Sequence, residues 1–209
     1  MTAASWARLT PLVIGISGAT KAGKTTLAER LSRFICGDDV HRLRRQGKSD
    51  RVDRFEGLGR RVSIIGQDSY FLSPKHFGGV QPCWDDSASL DHERLLLALR
   101  REAQTGQCHL IILEGFRAFL DHRIVENLDI LLWIHIPEET CRSRKMKRNS
   151  FAEQQFQQDI WYYHVAYEKM VMQRPQSPHI LDGTRPPHLV REQALTVIRS
   201  CAEHLHFCR

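Results

Sequence analysis

The chain reads as an α/β protein built on a doubly wound parallel sheet with helices on both faces. Three observations predict it. Largely apolar runs of strand length recur at Leu12-Val13-Ile14-Gly15-Ile16, Val62 to Ile65, Leu110-Ile111-Ile112-Leu113 and Ile130 to Ile136. Stretches of helical spacing separate them, and strands without polar alternation are those covered on both sides. The first run also enters a glycine-rich turn and continues directly into a helical pattern, the order strand, loop, helix.

In chain order, Leu27 to Phe34 carries the first helical spacing and Val62 to Ile65 the second strand. A helix from about Leu90 to Gln104 leads to the strands at Leu110 to Leu113 and Ile130 to Ile136. Pro137 opens a helix, with Glu138 and Glu139 in its first turn, that becomes strongly basic at Arg142, Arg144, Lys145, Lys147 and Arg148. Asp159 to Val171 reads as a helix rich in aromatics, Ile180-Leu181 as a short apolar run, and Leu189 to Leu205 as a final amphipathic helix after Asp182-Gly183 and Pro186-Pro187. Residues 37–61 break the alternation, with eight Arg or Lys against five Asp or Glu and four glycines, and are read as a mobile, basic surface insertion.

A length of 209 residues predicts one domain over 1–209, carrying that insertion and a small basic lid at about 142–160. Near-average hydrophobic (42%) and charged (26%) fractions disfavour a disordered, collagen-like or coiled-coil chain. The net charge of +6 favours an anionic partner without naming it. Six cysteines with no CxxC pair argue against a zinc site or a tight disulfide framework. With no signal-like N-terminus and no long apolar run, a reducing, cytoplasmic setting and no membrane partner are expected.

The residues Gly18, Ala19, Thr20, Lys21, Ala22, Gly23, Lys24 and Thr25 satisfy G-x-x-x-x-G-K-[ST], and they fall between strand and helix as the mechanism requires. Glycines let successive N–H groups surround phosphate oxygens, the helix N-terminus adds its positive end, and Lys24 supplies a point charge to the β- and γ-phosphates. Thr25 offers its hydroxyl to Mg²⁺. The sheet is therefore expected to be of the P-loop NTPase type, with nucleotide as ligand.

Switches, motors and kinases share such a loop, so the other strand ends decide between them. Asp68, placed just past a strand taken to lie beside the first, would face the γ-phosphate and accept an attacking hydroxyl's proton, or simply cap a turn. Glu114, after four apolar residues, suits a Mg²⁺-site carboxylate, with a helix cap as the plainer role. The basic run after Cys141 is a solvated helix face or a lid whose arginines clamp phosphate; the loop at 18–25 favours the lid.

These residues together resemble the nicotinamide riboside kinase family, a branch of the uridine-kinase-like P-loop small-molecule kinases. The resemblance rests on Ile14 to Gly18 running into Gly23-Lys24-Thr25-Thr26, on Gln67-Asp68-Ser69-Tyr70-Phe71, on Trp84-Asp85 with Leu90-Asp91, and on Ile112 to Phe116. Ile136 to Arg142, Trp161 with Tyr167, and Leu181 to Thr184 complete it. It covers nearly the whole chain outside the insertion.

The resemblance implies an ATP- and Mg²⁺-dependent kinase that phosphorylates the 5′-hydroxyl of nicotinamide riboside, giving nicotinamide mononucleotide for NAD synthesis. Under it, Asp68, Lys24 and Glu114 are catalytic; Thr25, Asp68 and Glu114 serve the metal; Thr26, Arg144, Arg148 and Arg185 join the loop in binding ATP. Trp84 stacks on the pyridine ring, Asp85 grips ribose hydroxyls, and Tyr70 and Phe71 join Asp68 on the substrate side. Lys145 stands where the family has a ribose-contacting arginine, and Ser150 where it has a second stacking tyrosine, a wall that Phe151 could replace. A uridine or cytidine kinase is the alternative enzyme. A nucleotide-dependent switch or a nucleic-acid-binding protein is the alternative of another class, supported only by the insertion and the charge.

Overall fold

The computed structural model describes residues 11–37, 41–43, 52–57, 59–73, 87–147 and 156–207. Seven strands form one sheet: β1 (Leu12–Gly18), β2 (His41–Leu43), β3 (Val52–Gly57), β4 (Arg60–Gly66), β5 (Leu110–Glu114), β6 (Ile130–His135) and β7 (His179–Asp182). Their order across the sheet is β2-β3-β4-β5-β1-β6-β7. The five strands from β4 to β7 run parallel, which confirms the doubly wound α/β reading, and β2 and β3 add an antiparallel edge.

Successive residues of β1 show why its run is continuously apolar. Ile14 and Ile16 enter one core, with Leu27 and Leu31 of helix α1 (Lys24–Cys36) and Ala194 and Leu195 of helix α6 (Pro187–Phe207). Val13 enters the other, with Leu95 and Leu99 of helix α2 (His92–Gln104) and Tyr167 and Val171 of helix α5 (Tyr162–Met172). A short helix α3 (His122–Val125) precedes β6, and α4 (Glu138–Met146) follows it, with Pro137 at its N-cap. Among the described residues no helix is long and apolar enough to cross a membrane.

Two expectations need correction. Residues 52–57, read as part of a loop, form β3, which pairs with β4 from Val52↔Ile65 to Gly57↔Arg60. Phe55 and Val52 are buried, while Arg54 reaches the buried Glu102 of α2 at 2.8 Å. Mixed charge hid this strand, because only Val52 and Phe55 of its six residues are buried and one of its charges is paired internally. The second correction concerns Asp68: its strand β4 is not beside β1, since β5 lies between them. Other element ends shift by up to three residues in either direction, and the aromatic helix begins as a π-helical turn at Phe156–Trp161.

Candidate active site

The loop after β1 departs from ordinary backbone at the positions the motif reserves. Gly18 and Gly23 have φ of 140° and 102°, and Lys21 is also left-handed at 59°. A Cβ on Gly18 would stand 2.3 Å from the carbonyl oxygen of Ile134, so the strand end tolerates no side chain there. Helix α1 starts at Lys24 on Gly23, and no side chain among the described residues caps it. Its first N–H groups and positive dipole end therefore face the loop's concavity.

The Lys24 ammonium folds back beneath the loop and donates to the carbonyl oxygens of Gly18 at 3.1 Å and Ala19 at 2.7 Å. Burial lowers its pKa, against the opposing pull of the Glu114 and Asp68 carboxylates. The Thr25 hydroxyl donates to Glu114 Oε1 at 3.0 Å. Glu114 ends β5, the strand next to β1, and burial raises its pKa while the Lys24 charge and the Thr25 bond act downward. Asp68 is exposed, on the short 3₁₀ turn Gln67–Tyr70 that follows β4.

The wall between these carboxylates is held by close packing. A Cβ on Gly115 would lie 2.4 Å from Gln67, whose Oε1 accepts the Arg117 N–H at 2.9 Å. The Ser17 hydroxyl donates to the Gly115 carbonyl at 3.0 Å and lies 3.0 Å from the buried Tyr167 hydroxyl, which accepts the Phe119 N–H at 2.8 Å. Helix α5 thus pins the root of the phosphate loop to the turn after β5.

A cleft of about 550 Å³ opens over the loop, with Lys24, Thr25 and Thr26 on one side and Asp68, Glu114 and Phe116 on the other. Arg144 and Lys147, from α4 and its C-terminal end, complete its lining. A second cavity of about 340 Å³ adjoins it across Lys21, Gly23, Thr26 and Arg144, and reaches Gly183 and Arg185. Arg144 joins the two: its guanidinium donates to the carbonyl oxygens of Lys21 at 3.3 Å and Gly183 at 2.9 Å. Cys141, buried on the same helix, places its Sγ 3.2 Å from the Thr20 carbonyl.

Several candidates are not brought to this cleft. Tyr70 is only 4% exposed and packs in the core, and Phe71 reaches the site indirectly, stacked on Phe116 at 5.7 Å. Among the described residues the cations that line the cleft from α4 and its end are Arg144 and Lys147, not Lys145. Trp84, Asp85, Arg148, Ser150 and Phe151 lie outside the described residues. The sequence reading gave no site role to Ser17, Gln67, Phe116 or Arg117, and named Lys147 only within the basic run; the position of Phe116 and Arg117 just past Glu114-Gly115 is the one signal that could have drawn notice.

No family model matches the chain. It is 25% identical over 163 residues to the uridine kinase of Pectobacterium carotovorum subsp. carotovorum, covering 66% of this chain and 68% of that protein. It is 22% identical over 212 residues to nicotinamide riboside kinase 2 of Mus musculus, covering 90% and 96%. In fold it resembles a gluconokinase from Sinorhizobium meliloti 1021, at TM-score 0.57 and 14% identity over 95% of this chain and 97% of the other. It also resembles a possible uridine kinase from Bacillus stearothermophilus, at TM-score 0.54 and 15% identity over 83% and 90%. A complete phosphate-loop motif and two carboxylates border one cleft on a sheet of this order, and the chain is similar over most of its length to uridine-kinase-like P-loop small-molecule kinases, a nicotinamide riboside kinase among them.

Proposed function

We propose that the protein transfers the γ-phosphoryl group of ATP to the 5′-hydroxyl of a pyridine riboside, with nicotinamide riboside giving nicotinamide mononucleotide. One observation carries the reading: Lys24, Thr25, Asp68 and Glu114 all border a single cleft. The match to the mouse riboside kinase over 90% of the chain supports the pyridine acceptor.

In this reading the Asp68 carboxylate accepts the proton of the acceptor hydroxyl as its oxygen bonds to the γ-phosphorus, and the bond to the β–γ bridging oxygen breaks to release ADP. Lys24 and the loop N–H groups hold the phosphate oxygens in line, while Arg144 and Lys147 add positive charge from the lid side. Lid closure over about 142–160 would exclude water. The adjoining cavity by Arg185 suits the adenine ring, and Trp84 and Asp85 remain the proposed ring and ribose contacts. Thr25, Asp68 and Glu114 offer an all-oxygen donor set, which fits a hard cation such as Mg²⁺. Bound there, Mg²⁺ would neutralise phosphate charge.

The bacterial uridine kinase match, at 25% identity, favours a second reading in which the acceptor is uridine or cytidine. A mixture of ribosides incubated with Mg²⁺-ATP and read by mass separates them. A phosphate gained by the pyridine riboside supports the first reading; one gained only by the pyrimidine nucleosides overturns it.

A further inference from the structure

The guanidinium of Arg117 is the feature that the phosphoryl-transfer reading leaves unused. Its residue is only 9% exposed, directly beyond Glu114 and Phe116 at the end of β5. It lies 5.8 Å over the rings of both Tyr163 and Tyr167, and no acidic side chain among the described residues pairs with it. It borders a narrow pocket walled by Phe116, Trp161, Tyr163 and His164. Thr20 and Phe116 line this pocket and the phosphate cleft alike, so the one is a side chamber of the other. The chamber has room for about one water molecule, which suits a small substituent of a ligand rather than its ring.

A desolvated cation is costly unless an anion meets it, and a guanidinium meets a planar carboxylate with two parallel hydrogen bonds. Ring faces satisfy part of that charge, and among the described residues no side chain accepts a hydrogen bond from its N–H edge. His164, held between Trp133 and Trp161, does not add a second charge at neutral pH, because burial pushes its pKa down to about 4 against the pull of Glu168. The chamber therefore offers one fixed positive charge. A pyridinium riboside is itself cationic, so its amide form would meet repulsion from Arg117, whereas a ring carboxylate would be paired.

We propose that Arg117 is a specificity residue of the acceptor site and that it selects ribosides bearing a ring carboxylate over their carboxamide counterparts. This rests on the riboside-kinase reading and names the substrate within it. The test compares kcat and KM for nicotinic acid riboside and nicotinamide riboside, and for uridine against its 6-carboxylate, in the unaltered protein and in Arg117→Gln and Arg117→Lys. The unaltered protein is expected to favour the acid of the pair it accepts. Arg117→Gln should raise KM for that acid by roughly tenfold to a hundredfold, with kcat held and the neutral partner unaffected or improved. Arg117→Lys should fall between them.

Retained turnover of the neutral acceptor shows that the variant folds. Equal losses on acid and amide, or a preference of the unaltered protein for the amide, overturn the role of Arg117 while leaving the kinase reading intact. Phosphorylation confined to the pyrimidine pair overturns the pyridine reading, and its acid-to-neutral ratio still decides for or against Arg117. No phosphorylation of any riboside overturns both.

Discussion

The two halves of the cleft are built by different means. On the phosphate side the parts are contiguous in sequence, eight residues of loop and the start of α1, and their geometry is backbone geometry set by Gly18 and Gly23. On the side proposed for the acceptor each part comes from a separate element: Asp68 after β4, Glu114 to Arg117 at and past the end of β5, and Trp161 to Tyr167 from the turn and helix of α5. The difference teaches that, in the proposed reading, phosphate capture is a local property, whereas acceptor choice depends on long-range packing.

Substitutions on the two sides should then fail in different ways. Asp68→Ala is expected to lower kcat by about 10²–10⁴ through loss of the proton acceptor, with the fold unchanged by circular dichroism. Near-normal turnover would remove that role. Lys24→Ala should cost about 10²–10³ in kcat and weaken ATP binding, an effect that no choice of acceptor alters. Glu114→Gln should raise the Mg²⁺ concentration for half-maximal rate by roughly 10–100-fold, read by metal titration; an unmoved Mg²⁺ curve would reduce Glu114 to a partner of Thr25.

Stability sharpens the contrast further. Arg54→Ala leaves the Glu102 carboxylate buried without its cation and should cost about 3 kcal/mol by urea unfolding. Burial acts to raise the Glu102 pKa, but the bonds from Arg54 and Ser63 outweigh it and hold the carboxyl below its ordinary 4.5. The pair's contribution is therefore present above that pH and lost as pH falls through the lowered value. Acid titration of the unaltered protein should show that loss, and Arg54→Ala should flatten it. Tyr167→Phe, the smallest of these changes, strands the Phe119 N–H and should cost about 1–3 kcal/mol. If kcat for a fixed riboside falls while KM for ATP holds, Tyr167 positions the turn after β5 rather than the loop itself.

Much of this architecture was legible in the residues. The strands β1, β5 and β6 announced themselves because their apolar residues face two cores, one under α1 and α6 and one under α2 and α5. β3 did not, since Asp53, Arg54 and Glu56 interrupt it and its place at the edge of the parallel strands requires only Val52 and Phe55 to be buried. The order of strands was equally hidden. Nothing in the residues around Asp68 says that β5 intervenes between β4 and β1.

The sequence by itself determined the phosphate loop, because its signal is a fixed spacing of glycine, lysine and threonine within one turn of backbone. It also determined the α/β class, through the period of its apolar residues. Only the tertiary structure decided that Tyr70 belongs to the core, that Arg144 bridges the loop to Gly183, and that Arg117 lies buried against two tyrosines. The reason is physical: local conformation follows from neighbours in the chain, while burial, pairing and the company a charge keeps follow from residues tens of positions away.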